Sequence, residues 1–179
     1  MAKATRSRMF FLGFPNPGVA TYVLEVIKEA RKAKEVVVTD WAMIQKTEGG
    51  EAKITTDRSA DPGAARGAGV GGLAGAVLAG VLGPIGFGAV VGGAAVGAVT
   101  AALRDSGLKD DDLETISRLM AEGREGLVVV VPLEEGDRFQ AFMDASTEFH
   151  AADRKLSVDI VPGRTLQDAI DRYIEHEED

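Results

Sequence analysis

The stretch GAGVGGLAGAVLAGVLGPIGFGAVVGGAAVGAVTAAL, residues Gly67–Leu103, decides how this chain is read. Its 37 residues carry no charged side chain and include 12 Gly and 10 Ala, with Val, Leu, Ile and Phe making up most of the rest. Gly83-Pro84-Ile85-Gly86 is turn punctuation and divides the run into two arms, Gly67–Leu82 and Gly88–Leu103. Glycine in a helix interior costs about 1 kcal/mol relative to alanine, so arms this rich in glycine need close packing to stay helical. Small residues recur at every fourth position: Gly67, Gly71 and Gly75 in the first arm, Gly88 and Gly92 with Ala89, Gly93 and Gly97 in the second. That spacing aligns them on one helical face, where backbones can approach and gain dispersion contact. The pattern predicts a glycine-zipper helical hairpin inserted over residues 63–104, turning at Gly83, Pro84 and Gly86.

Three uses of such a hairpin compete. Gly67–Gly72 formally satisfies G-x-G-x-x-G, but a dinucleotide fingerprint needs a strand running into the glycines, and Ser59–Arg66 reads as loop. No cofactor is therefore expected. Each arm of about 16 residues would be roughly 24 Å long as a helix, short of the roughly 30 Å hydrocarbon core of a bilayer. A hairpin that dips into lipid and returns fits better, with charged flanks (Asp57, Arg58, Asp61 and Arg66 before, Arg104, Asp105 and Lys109 after) staying in one aqueous compartment. Alternatively, the small-residue faces pack into the shared interior of a soluble homo-oligomer, such as a shell, ring or filament-like scaffold. The membrane hairpin is the preferred expectation and the soluble assembly its alternative.

The flanking residues, 1–62 and 105–179, read as the two parts of one α/β domain. Met9–Phe14 is an apolar run of strand length, followed by Asn16 as a helix N-cap and Pro17 at the first helical position. Val19, Tyr22, Val23, Val26, Ile27 and Ala30 give that helix its inward stripe, and Lys28, Arg31, Lys32 and Lys34 complement its C-terminal dipole. Glu35–Lys46, with the only tryptophan, Trp41, is a second strand, and Glu48-Gly49-Gly50 turns it into a third, Ala52–Thr56. After the insertion, Asp111 with Glu114 reads as a capping box for a helix with Leu113, Ile116, Leu119 and Met120 inward. Leu127–Val131 is a strand, Phe139, Phe142, Met143 and Phe149 line a helix, Leu156–Val161 is the last strand, and Thr165 with Asp168 caps a terminal helix. The expected class is α/β (α+β): a ferredoxin-like βαββαβ sheet extended by αβα. Met9–Phe14, Val36–Val38 and Leu127–Val131 are apolar on both faces, so the open face of such a sheet needs a cover, and a second subunit stacked sheet to sheet supplies it.

Composition narrows the function classes. The 179 residues contain no cysteine, which excludes disulfides, thiolate metal sites and cysteine nucleophiles. The net charge of -8 argues against nucleic acid as a partner. Met1–Arg8 is short and basic and the apolar run behind it holds six residues, so no export signal is expected. The expected location is the cytoplasmic side of the membrane or, for the soluble assembly, the cytoplasm. Asp110, Asp111 and Asp112 point in different directions around a helix start and read as caps, so no metal is expected. His150 and His176 stand alone, and no G-x-S-x-G or H-E-x-x-H signature joins them to a catalytic set.

The α/β beginning with its charged strand hairpin, the Gly/Ala-rich run, the following Asp105–Asp112 (DSGLKDDD) and the strand-helix-strand close resemble an uncharacterised bacterial family, domain of unknown function 1269. The resemblance implies membrane association, by the family's usual description as predicted membrane proteins, and transfers no catalytic residue. A non-enzymatic, self-associating protein is the expectation, with itself and a lipid bilayer as the expected partners. A small-ligand sensor or enzyme on the ferredoxin-like sheet is the other class, recognisable by polar residues converging in a pocket that faces the sheet.

Overall fold

The computed structural model describes residues 6–46, 52–57, 74, 101, 104–105, 107–121 and 125–161. Gly67, Gly71, Gly75, Gly83, Pro84, Gly86, Gly88, Gly92, Gly93 and Gly97 lie outside the described residues, as do the turn at 48–50 and the segment 162–179.

The two strands that are apolar on both faces lie side by side in the middle of one sheet. β1 (Ser7–Phe14) and β4 (Glu125–Pro132) pair antiparallel, with Phe10 opposite Val129 and Leu12 opposite Leu127. β2 (Asp40–Lys46) lies on the far side of β4, β5 (Arg154–Ile160) on the far side of β1, and β3 (Ala52–Thr56) along the outer edge of β2. The order is β3-β2-β4-β1-β5, and every neighbouring pair is antiparallel. α1 (Val19–Lys32) links β1 to β2, α2 (Asp110–Ala121) precedes β4, and α3 (Gly136–Ala145) links β4 to β5 between two short 3-10 turns, Leu133–Glu135 and Thr147–Ala151.

This is a mixed α/β fold, as expected, but the place expected for its third strand is corrected. There Ala52–Thr56 would be the third strand, beside the first; here it is an edge strand and β4 takes the inner place. Burial is the physical reason. An inner strand covered from both sides must be apolar throughout, as Leu127–Val131 is, whereas Lys53, Thr55 and Thr56 break up β3. β2 is also shorter than expected. Residues 35–39 are not strand, although Thr39 donates both its N–H and its hydroxyl to the Val130 carbonyl at 2.9 and 3.0 Å.

Side chains alternate across the sheet and build two cores. On one face Phe10, Leu12, Phe14, Trp41, Met43, Leu127, Val129 and Val131 meet Val23, Leu24 and Ile27 of α1, and Phe139 and Met143 of α3. Phe10, Phe139, Phe142 and Phe149 form a chain of tilted and edge-on rings with centroids 5.0, 6.0 and 5.6 Å apart. Phe149 belongs to the 3-10 turn and not to the helix before it. On the other face Met9, Phe11, Ala42, Ile44, Val128 and Val130 are buried too. α2 packs there against β1 and β4, with Leu108, Leu113 and Ile116 buried. Within the single chain this second face is already buried, and α2 supplies the part of its cover that lies over β1 and β4.

Two helix starts differ from their expected form. α1 begins at Val19, two residues later than Asn16-Pro17 implied, because Gly18 adopts φ 83° and only then does the chain enter the helix. Its inward stripe is Ala20, Val23, Leu24, Ile27 and Ala30, which leaves Tyr22 58% exposed. α2 begins at Asp110, and Asp112, not Glu114, reaches back to accept the Lys109 N–H at 3.2 Å.

Candidate functional site: where the insertion is rooted

The insertion leaves the sheet after β3 and returns before α2, and polar contacts fasten both roots. At the departing root, Asp57 follows β3 and donates its N–H to the Trp41 carbonyl at 3.2 Å. Its carboxylate accepts the Trp41 indole N–H at 2.9 Å through Oδ1 and Arg31 at 2.8 Å through Oδ2. Lys28, paired with Glu25 at 2.8 Å, stands 4.9 Å from the centroid of the same indole ring. Lys28 and Arg31, expected as dipole-complementing surface, therefore also clamp the strand end from which the insertion departs.

Asp40, the first residue of β2, sits beside this clamp. Its Oδ1 accepts the Trp41 N–H and its Oδ2 the N–H of Ala74, both at 2.9 Å. Ala74 is fully buried. The first arm of the Gly/Ala-rich stretch thus touches the α/β domain at a described residue, through a charge-assisted hydrogen bond. At the returning root Arg104 and Asp110 form an ion pair at 2.5 Å, and the Gly107 N–H donates to the Arg104 carbonyl at 3.1 Å. Gly107 has φ 116°, and a Cβ there would meet the Asp159 carbonyl at 3.3 Å.

Sequence reading did not single out Asp40, although an acid immediately before a buried tryptophan at a strand start was a visible signal. Glu125 was missed as well. It is a buried carboxylate at the start of β4, and its partners lie on α1 and on Gln45, all distant in sequence.

Arg8, near the start of β1, joins Asp159 of β5 at 2.6 Å and Asp137 of α3 at 2.7 Å. Its hydrogen bonds to Asp159 and then Asp137 hold the guanidinium charged well above its ordinary range. Two surface depressions lie nearby. One, of about 510 Å³, runs over α1 and α3 and is lined by Tyr22, Val26, Phe142, Glu25, Glu29 and Glu35 among others. The other, of about 530 Å³, borders β5 and is lined by Arg8, Lys109, Asp112, Ser157 and Asp159 among others. The first is lined by no strand residue, whereas the second takes Arg8 from β1 and Ser157, Val158 and Asp159 from β5. Among the described residues no group of acids and histidines could hold a metal ion, and Asp110, Asp111 and Asp112 do not converge. His150 lies exposed on the second 3-10 turn, while His176 is outside the described residues.

An antiparallel α/β sheet, covered on both faces and interrupted between its third and fourth strands by an uncharged Gly/Ala-rich insertion, defines the class. The model of the family described as protein of unknown function (DUF1269) matches residues 64–159, more than half of the chain, and the chain belongs to that family. The match runs from the insertion through β5 and leaves β1 to β3 outside it. No curated protein and no solved structure matches the chain.

Proposed function

We propose that this is a non-enzymatic, self-associating protein in which the α/β domain roots a glycine-zipper hairpin and presents it to a lipid bilayer. The observation that carries the reading is the uncharged 37-residue run itself, Gly67–Leu103, set between roots that are both fastened to a folded domain. No helix among the described residues is long and apolar enough to cross a membrane, so the membrane element of the proposal is the hairpin alone. Thirteen Leu, Val, Ile and Phe side chains at about -0.3 to -0.6 kcal/mol each supply a modest drive for insertion, which rooting and self-association would supplement.

The domain is read as ferredoxin-like. Support comes from β4 lying between the parallel pair β1 and β2, and β1 lying between the parallel pair β4 and β5, which makes two interleaved split β-α-β units with α1 and α3 as their crossovers. On that reading β3, the hairpin and α2 form one continuous insertion between the units.

Ala74 favours the second reading for part of the first arm. Its burial and its bond to Asp40 hold this residue against the α/β domain of its own chain, which supports keeping that part of the arm out of lipid. The test common to both readings is Gly71→Leu with Gly92→Leu, which thickens both arms at zipper positions. Loss of assembly is expected, with Trp41 fluorescence reporting an intact α/β domain; unchanged assembly size with both leucines in place would overturn the zipper.

A further inference from the structure

Along β2 the side chains alternate between the two faces of the sheet. Trp41 and Met43 pair with Val129 and Leu127 in the core under α1, so Asp40, Ala42 and Ile44 belong to the opposite face, where Asp40 and Ala42 pair with Val130 and Val128. On that face Ala42 and Ile44 are buried. α2 packs there against β1 and β4. A helix is about 10 Å across and strands stand about 4.8 Å apart, so one helix covers about two strands. The cover over β2 therefore comes from another part of the chain. Ala74 is the described residue that reaches this place: it is helical and fully buried, and its N–H donates to Asp40 Oδ2 at 2.9 Å. An amide that donates outside its own helix belongs to the opening turn, where a carboxylate is a favourable partner.

We infer that the second face of the sheet over β2 is an intramolecular seat for the first arm of the insertion: Asp40 holds the arm by its Ala74 amide, and Ala42 and Ile44 lie beneath it. The occupant is this chain's own arm and not a second copy, because the Asp40 bond already joins the arm to β2 and both apolar residues are buried within one chain. Alanine at position 74 suits the place, since a small side chain lets a helix approach closely. The contact is autoinhibitory. An amide bonded to Asp40 over a buried strand does not lie in hydrocarbon at the same time, so the seat and the bilayer compete for the arm around Ala74. Emptying the seat strengthens membrane binding. That competition rests on the proposed membrane hairpin, whereas the seat itself rests on Asp40, Ala42, Ile44 and Ala74.

The test uses the full chain with Ala42→Leu, which adds bulk beneath the arm. Native-state hydrogen exchange at Ala74 is expected to rise about tenfold or more, while exchange at Ile116 of α2 stays within the global change read at Val129. Ala42→Val makes the same comparison with a smaller addition should the leucine variant fail to fold, and Trp41 emission reports the state of the domain in each. Loss of protection at Ile116 with Ala74 unchanged would overturn the seat and assign the cover over β2 to α2. Flotation with vesicles of phosphatidylcholine and phosphatidylglycerol reads the competition, and the variant is expected to bind about threefold more than the wild type. Equal binding of the two, with Ala74 deprotected, would overturn the autoinhibition. Binding by neither would overturn the membrane hairpin, while the exchange at Ala74 would still uphold the seat.

Discussion

Glu125 holds the first turn of α1 from 105 positions away: its Oε2 accepts the Ala20 N–H at 3.2 Å, and its Oε1 accepts the Gly18 N–H at 3.0 Å. A helix start needs acceptors for its free amides, and here the N-cap residue, Gly18, has no side chain to offer one. The carboxylate also takes the Gln45 amide at 3.1 Å, which ties α1, β2 and β4 together. Glu125→Ala leaves these donors unpaired and is expected to cost about 2–3 kcal/mol of stability. Urea unfolding followed by Trp41 fluorescence measures it, with Glu125→Gln intermediate because one amide oxygen still accepts. A loss under about 0.5 kcal/mol for the alanine variant would contradict the capping role.

Asp57 ties the departing root to the only tryptophan. Asp57→Ala is expected to destabilise by about 1–2 kcal/mol and to change Trp41 emission, since the indole N–H loses its acceptor. Asp57→Asn keeps an acceptor and gives up only the Arg31 ion pair, which is half-exposed and worth about 0–1 kcal/mol. Equal losses for the two variants would show that the ion pair, and not the indole bond, carries the effect.

Asp40 is expected to control how closely the first arm is held. Asp40→Ala removes the acceptor of the buried Ala74 N–H, so hydrogen exchange at Ala74 should rise about tenfold or more, in line with a bond worth roughly 1.5–3 kcal/mol. Exchange at Phe11 and Val129 should stay within the global stability change. Unaltered protection at Ala74 would mean that packing alone seats it.

The elements best legible in the sequence were those whose character is local. Met9–Phe14 and Leu127–Val131 are unbroken apolar runs, and both became inner strands. The position of β3 was not legible, because strand order depends on which strands can be buried twice, and that is settled only when all compete for the middle of the sheet. The start of α1 was misread for a related reason. Asn16-Pro17 is a sound local signal, yet the φ of Gly18 and the carboxylate of Glu125 overrule it, and the second of these is a long-range contact. Apolarity on both faces is a legible demand for a cover; that α2 supplies part of it over β1 and β4 could not be seen from a helix whose own stripe fits several neighbours. The glycine positions of the zipper lie outside the described residues, and Ala74 is the one zipper-arm neighbour whose contacts bear on them.

Closure of the second face within one chain makes a further prediction. Phe10 faces α3 and Phe11 faces the α2 side, and both are buried. Phe10→Ala and Phe11→Ala are each expected to cost about 3–5 kcal/mol, independent of protein concentration. A Phe11→Ala cost that grows as the protein is diluted would place a second subunit over that face.

The measurement that bears most directly on the proposed function is carbonate-washed membrane fractionation of the full chain, with light scattering of whatever is released. The account predicts retention in the washed membrane, with the hairpin integral to the bilayer. Complete release as a large, uniform soluble particle would contradict the membrane hairpin and make residues 67–103 the core of an assembly, while release as a monomer would contradict both uses of the glycine zipper.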